Sequence, residues 1–143
     1  MSKPADIWMD FALNDLDDGE ILFRENRFNN ACYLAQQTTE KALKGFLVDN
    51  NISYPKRHDL DVLNKLCANV DATFTRFETK LAFVTQFYAP VRYPDAAIGM
   101  ASGGMPTKDM AREALDYAHE VVDFCCEKIR QVIQQKPPEP QPR

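Results

Sequence analysis

Thr107-Lys-Asp-Met-Ala-Arg-Glu-Ala-Leu-Asp-Tyr-Ala-His-Glu-Val-Val-Asp-Phe-Cys-Cys-Glu-Lys-Ile-Arg-Gln-Val-Ile-Gln-Gln-Lys136 contains neither proline nor glycine. Its residues Ala111, Ala114, Leu115, Ala118, Val121, Val122, Cys125, Ile129 and Val132 recur every three or four positions, which places them on one face of an α-helix. Thr107 can supply the capping oxygen at its start. Two more blocks, Ala5 to Tyr54 and Lys56 to Ala89, are also proline-free and nearly glycine-free. Proline removes a backbone donor and clashes inside a helix, and glycine weakens one, so such blocks are where helices form. An all-β chain is excluded.

Inside the first block, Trp8, Phe11, Ala12, Leu16, Gly19, Leu22 and Phe23 approximate the inward stripe of a helix over residues 5–24 whose other face is acidic. A turn over Arg24–Phe28 precedes a second helix, capped by Asn29 or Asn30 and running to about Val48, with Ala31, Leu34, Ala35, Ala42, Gly45 and Phe46 inward. Glu40 and Lys44 lie in the favourable i,i+4 order on it. Asn50-Asn51 stops this helix, Tyr54-Pro55 forces extended backbone, and Asp59 is placed to cap a short third helix carrying Leu60, Leu63, Leu66 and Cys67. Phe74, Phe77, Leu81, Val84 and Tyr88 define a fourth. The expected architecture is all-α, an up-and-down four-helix bundle with an additional short helix. At 143 residues it forms a single domain over residues 1–135, with a Pro-rich tail over 136–143 that cannot be helical.

The net charge of −4 argues against a broad electrostatic nucleic-acid surface. No signal peptide pattern opens the chain, no run of apolar residues is long enough to span a membrane, and Cys32, Cys67, Cys125 and Cys126 form no CxxC. A reduced, cytoplasmic protein is the expectation. Asp15-Leu-Asp-Asp-Gly-Glu20 invites a calcium-loop reading, but Leu16 stands where a second carboxylate is needed and the segment is helically patterned. No metal and no cofactor is implied.

Three polar clusters remain. Gln37, Lys41 and Lys44 share a face of the second helix. Lys56-Arg57-His58-Asp59 puts basic groups beside a helix N-terminus, where unpaired amides favour anions. Arg92-Tyr93-Pro94-Asp95 lies on the Pro90–Pro106 connection, which exceeds the roughly 12–15 residues beyond which loops are usually functional or disordered. Arginine offers a planar fork for phosphate and tyrosine a stacking surface. Each cluster also has a plain structural reading, as solvated lysines, a helix start, or an Arg92–Asp95 pair.

Their order along the chain resembles the HEPN (higher eukaryote and prokaryote nucleotide-binding) domain family. Gln36-Gln37 is followed by Glu40-Lys-Ala-Leu-Lys44, then His58-Asp-Leu60, then Arg92-Tyr-Pro-Asp95, then the long Ala-rich helix. The resemblance implies a helical bundle, commonly a homodimer, often encoded beside a minimal nucleotidyltransferase. Family roles include nucleotide binding and, in many members, metal-independent RNA cleavage in toxin–antitoxin pairs. The cleaving members carry an Arg, a polar residue after it, and a His with four to six residues between it and the Arg. Only Arg112 and His119 have that spacing here. Glu113 follows the Arg where a neutral polar residue is usual, and Val121 stands where a tyrosine would serve nucleotidylation.

The expectation is therefore a non-catalytic HEPN protein that binds a nucleotide or phosphate-bearing ligand, or partners a minimal nucleotidyltransferase. Arg92 is the first candidate for a phosphate contact, Tyr93 and Asp95 shape the pocket, and Lys41, Lys44 and His58 are further ligand candidates. The rivals are an RNA-cleaving toxin using Arg112 and His119, and a purely structural dimerisation module. No membrane role is expected.

Overall fold

The computed structural model describes residues 3–88 and 104–134, and among them there is helix and no strand. Helix α1 spans Pro4–Arg24, α2 Phe28–Asp49, α3 Leu60–Val70, α4 Glu78–Val84 and α5 Lys108–Gln134. Pro4 sits in the first turn of α1, where its missing N–H costs nothing. A three-residue turn with Asn26 in the left-handed region (φ 62°) folds α2 back on α1, and Asn51 (φ 57°) ends α2 where Asn50-Asn51 is read as a stop. Both are asparagines, which enter that region at lower cost than most residues. The Thr107 hydroxyl accepts the Met110 N–H at 3.2 Å and caps α5 as expected.

Two expected caps are replaced. Asn29 and Asn30 lie inside the first turn of α2, since Phe28 already starts the helix. Asp59 occupies the N-cap position of α3 without capping it: its carboxylate takes the Arg57 guanidinium at 2.5 Å, and the Leu60 N–H is satisfied instead by the Thr85 hydroxyl at 3.1 Å. The fourth helix is also not continuous. Ala72–Phe77 and Thr85–Phe87 are 3-10 turns on either side of α4. Phe74 and Phe77, and Val84 and Phe87, are three apart, so the tighter winding keeps each pair on the inner side. Asp71 starts this segment by accepting the Thr73 N–H at 3.0 Å, and it ties the corner to α5 through Lys128 at 2.8 Å. Those bonds, Lys128 first, hold the Asp71 carboxyl down at about 2.

The core is one cluster. Phe74 packs on Phe46, Phe77 and Phe124, with ring centroids 4.5, 6.3 and 5.0 Å away. Cys32, Cys67 and Cys125 are buried among apolar groups, and burial pushes the Cys32 thiol up to about 12. Helix α2 is the central element, packed against α1, α3 and α5, and it is buried on nearly every side rather than along one stripe.

Helix α1 turns differently from its expected stripe. Ala5, Met9, Ala12, Leu16 and Gly19 face inward, while Phe11 is 60% exposed and Ile7 and Ile21 are exposed as well. The choice is made by how closely α1 approaches its neighbours. A Cβ on Gly45 would stand 3.0 Å from the Trp8 Cβ and 3.0 Å from the Met9 Sδ, and one on Gly19 would meet Leu115 Cδ2 at 2.9 Å. At both points it is the absence of a glycine side chain that lets the helices come this close. Gly45→Val should therefore lower unfolding stability by about 2 kcal/mol, measured by urea denaturation, because its Cβ and methyls have no space.

Candidate functional site

Glu40 lies near the middle of α2 and is 6% exposed. Its Oε1 accepts from Gln36 Nε2 at 3.2 Å and pairs with His58 Nδ1 at 3.0 Å, while Oε2 accepts from Lys44 Nζ at 3.1 Å. Gln36 Nε2 also donates to the His58 carbonyl at 3.0 Å, and Gln37 Nε2 donates to Gln36 Oε1 at 2.7 Å. The Lys44 ammonium rests 5.2 Å from the Tyr54 ring, whose edge meets Trp8. His58 stacks on Tyr88 with centroids 4.0 Å apart and planes 16° apart, and Tyr33 lies 6.3 Å beyond Tyr88.

Each side chain arrives from a different element for a local reason. Gln36, Glu40 and Lys44 are four residues apart, so α2 aligns them in one row. His58 is delivered by the extended 52–59 connection that Pro55 imposes. Tyr88 follows directly from the Thr85–Phe87 turn, whose Thr85 also holds the start of α3. The result is a buried carboxylate with three side-chain partners, a half-exposed imidazole and an aromatic stack.

The expected ligand residues are thus divided. Lys44 and His58 are brought together on Glu40. Lys41 is not with them, because its ammonium pairs with Asp15 of α1. That pair also accounts for one carboxylate of the segment with the calcium-loop reading, which here is the interior of α1. Arg92, Tyr93 and Asp95 lie outside the described residues. Arg57 and Lys56 are exposed, with Arg57 held by Asp59.

Glu40, Gln36 and Tyr88 are the members that the sequence reading did not place in a site. A signal was present. Cys32, Gln36, Leu43 and Leu47 lie on the buried side of α2, so Gln36 and Glu40 are polar residues where helical periodicity calls for apolar ones.

Arg112 and His119 meet elsewhere, between α1 and α5. Glu20 accepts from Arg112 through both oxygens, one bond being 3.0 Å, and from His119 Nε2 at 3.1 Å. Arg112 Nε binds Asp116 at 3.0 Å, and its guanidinium lies 4.7 Å from the Phe23 ring. The Arg112 bonds hold the Glu20 carboxyl below its ordinary value, with burial opposing and His119 adding to the effect. This carboxylate contributes stability above its unfolded pKa and loses it as pH falls through the lowered one.

A compact, all-helical domain built round a long central helix with buried polar side chains is the class that this geometry defines. The chain belongs to the HEPN domain family, whose model matches residues 5–129. Among solved structures it is similar to ST0689, an archaeal HEPN homologue, at 26% identity and a TM-score of 0.71, over 90% of this chain and 99% of that one. It is also similar to TT1696 from Thermus thermophilus, at 28% identity and a TM-score of 0.76, over 89% of this chain and 99% of that one. Among curated proteins no significant match was found. Among the described residues no helix is long and apolar enough to cross a membrane.

Removing one member of a buried charged pair leaves the other uncompensated. Glu40→Ala should cost about 3 kcal/mol or more, whereas Glu40→Leu combined with Lys44→Met should recover much of that loss. Urea unfolding of the two variants against the parent chain measures the difference.

Proposed function

We propose that this protein binds a nucleotide or another phosphate-bearing ligand without cleaving it, alone or as the partner subunit of a minimal nucleotidyltransferase. The observation that carries this reading is the convergence of Lys44 and His58 on Glu40 beside the Tyr88 ring. Phosphate recognition needs cationic donors, and a nucleobase needs an aromatic surface. Arg92 follows Tyr88 by four residues, so covalent reach alone keeps its Cα within about 14 Å of the Tyr88 Cα. Arg92, with Tyr93 and Asp95, is the proposed ligand contact, and His58 is the contact offered by the described residues. Lys44 acts through Glu40, since its ammonium is already committed there. Self-association as a homodimer is part of the reading, supported by the exposed Ile7, Phe11 and Ile21 on α1.

Calorimetric titration with ATP tests it. Arg92→Ala should weaken binding about tenfold, the loss of roughly one charge-assisted bond, with Tm unchanged; His58→Ala should weaken it as much and also lower Tm, because Glu40 loses a partner and Tyr88 its stack. Absence of ATP binding to the parent chain overturns the reading. A lowered Tm with unchanged affinity in Arg92→Ala identifies that segment as a structural lock and favours a dimerisation module.

A second reading, RNA cleavage by Arg112 and His119, is favoured by one observation: both side chains reach the same carboxylate. An arginine fork and an imidazole that meet on one carboxylate are also suited to a phosphodiester, with the arginine stabilising charge and the histidine moving a proton. Glu20 holds that position in this chain. Incubation of generic RNA in EDTA should therefore leave it intact, and cleavage abolished by His119→Ala would establish the second reading instead.

A further inference from the structure

A carboxylate has no proton to give, so the 3.0 Å bond between Glu40 Oε1 and His58 Nδ1 requires the imidazole to carry its proton on Nδ1. In the neutral ring Nε2 then holds a lone pair, and in the charged ring it holds the second proton. Neither partner is free to rotate away. Gln36 and Lys44 hold the Glu40 carboxylate, Gln36 also holds the His58 carbonyl, and Tyr88 lies flat against the imidazole. The side chain of Glu40 is 7% exposed and that of His58 45%. The edge of the ring turned from Glu40 carries Nε2.

We propose that Glu40 is a positioning residue: by taking the Nδ1–H of His58 it leaves Nε2 turned outward, so that the charged imidazole donates Nε2–H to a phosphate group of the ligand. The inference rests on the phosphate-ligand reading above and adds to it the atom that makes the contact and the residue that aims it. Only the charged imidazole has an Nε2–H for the anion, since in the neutral Nδ1–H ring a lone pair would face the phosphate oxygens. Among the described residues, the titratable groups recorded against the ring are Glu40 from α2 and Tyr88 after the Thr85–Phe87 turn, and Lys56, Arg57 and Asp59 neighbour it on its own connection. Of these, Arg57 and Asp59 pair with each other. A merely structural Glu40 would fix the fold without dictating which nitrogen is protonated.

The test is a long-range proton–nitrogen correlation spectrum of the imidazoles in the full nitrogen-labelled chain, recorded with the rings neutral. The expected result is a protonated, pyrrole-type Nδ1 and an unprotonated, pyridine-type Nε2 for His58. The opposite assignment in the parent chain overturns the proposal without any variant being made. Glu40→Gln keeps the shape of the side chain but offers a donor as well as an acceptor, so the Nε2–H form should appear; an unchanged tautomer in a folded variant also overturns it. Pyrophosphate then serves as the probe. The His58 Nε2 resonance should move on its addition, and affinity should fall about tenfold in Glu40→Gln, where a neutral Nε2–H replaces the charge-assisted bond that the Glu40 carboxylate supports. Calorimetric binding of pyrophosphate with the His58 resonances unmoved overturns the proposed contact and leaves the phosphate-ligand reading standing. No binding of pyrophosphate or ATP removes that reading, and the tautomer still decides whether Glu40 positions His58.

Discussion

A carboxylate drawn out of water into the middle of a helix has to be met by donors, and the elements round α2 are arranged as though to satisfy that requirement. Glu40 is reached by Gln36 and Lys44 along its own helix and by His58 from the following connection. The penalty for an unpaired buried charge amounts to several kcal/mol, a large part of the stability of a domain this size. Meeting it fixes where the 52–59 connection runs. That in turn sets His58 on Tyr88 and brings Thr85 to the start of α3. One buried group therefore links the order of α2, the path into α3 and the end of the α4 segment.

The same central helix is governed on its other side by size. Gly45 lets α1 come within contact distance of the α2 backbone, and Gly19 does the same toward Leu115 of α5. Close approach selects Ala5, Met9, Ala12 and Leu16 for the inside and leaves Phe11 out, although Phe11 is the more hydrophobic residue. Apolar content alone does not decide which face of α1 is buried. The volume available between the helices does.

The two histidines illustrate how similar side chains acquire different roles. Both face a carboxylate at about hydrogen-bond distance, His58 through Nδ1 to Glu40 and His119 through Nε2 to Glu20. Glu20 also carries the Arg112 fork and is partly open to solvent, which makes a lateral brace between α1 and α5. Glu40 is enclosed and carries a lysine and an amide, and its imidazole is stacked and half exposed. The difference lies in burial and in which nitrogen is engaged, neither of which residue spacing contains.

The sequence by itself determined the helices and most of their ends. Proline and glycine placement, the three-and-four spacing of α5, Thr107 as its cap and the Asn50-Asn51 stop were all legible, because those effects act within one turn of the chain. The order of the Glu40, His58 and Arg92 motifs was sufficient to identify the family. Only the tertiary structure decided that Asp59 is relieved as a cap by Thr85, that α4 is flanked by tighter turns, that Phe11 faces outward, and that Lys41 leaves for Asp15 while Lys44 stays with Glu40. Each of these is a competition between a local preference and a partner distant in sequence, and such partners exist only once the chain has folded.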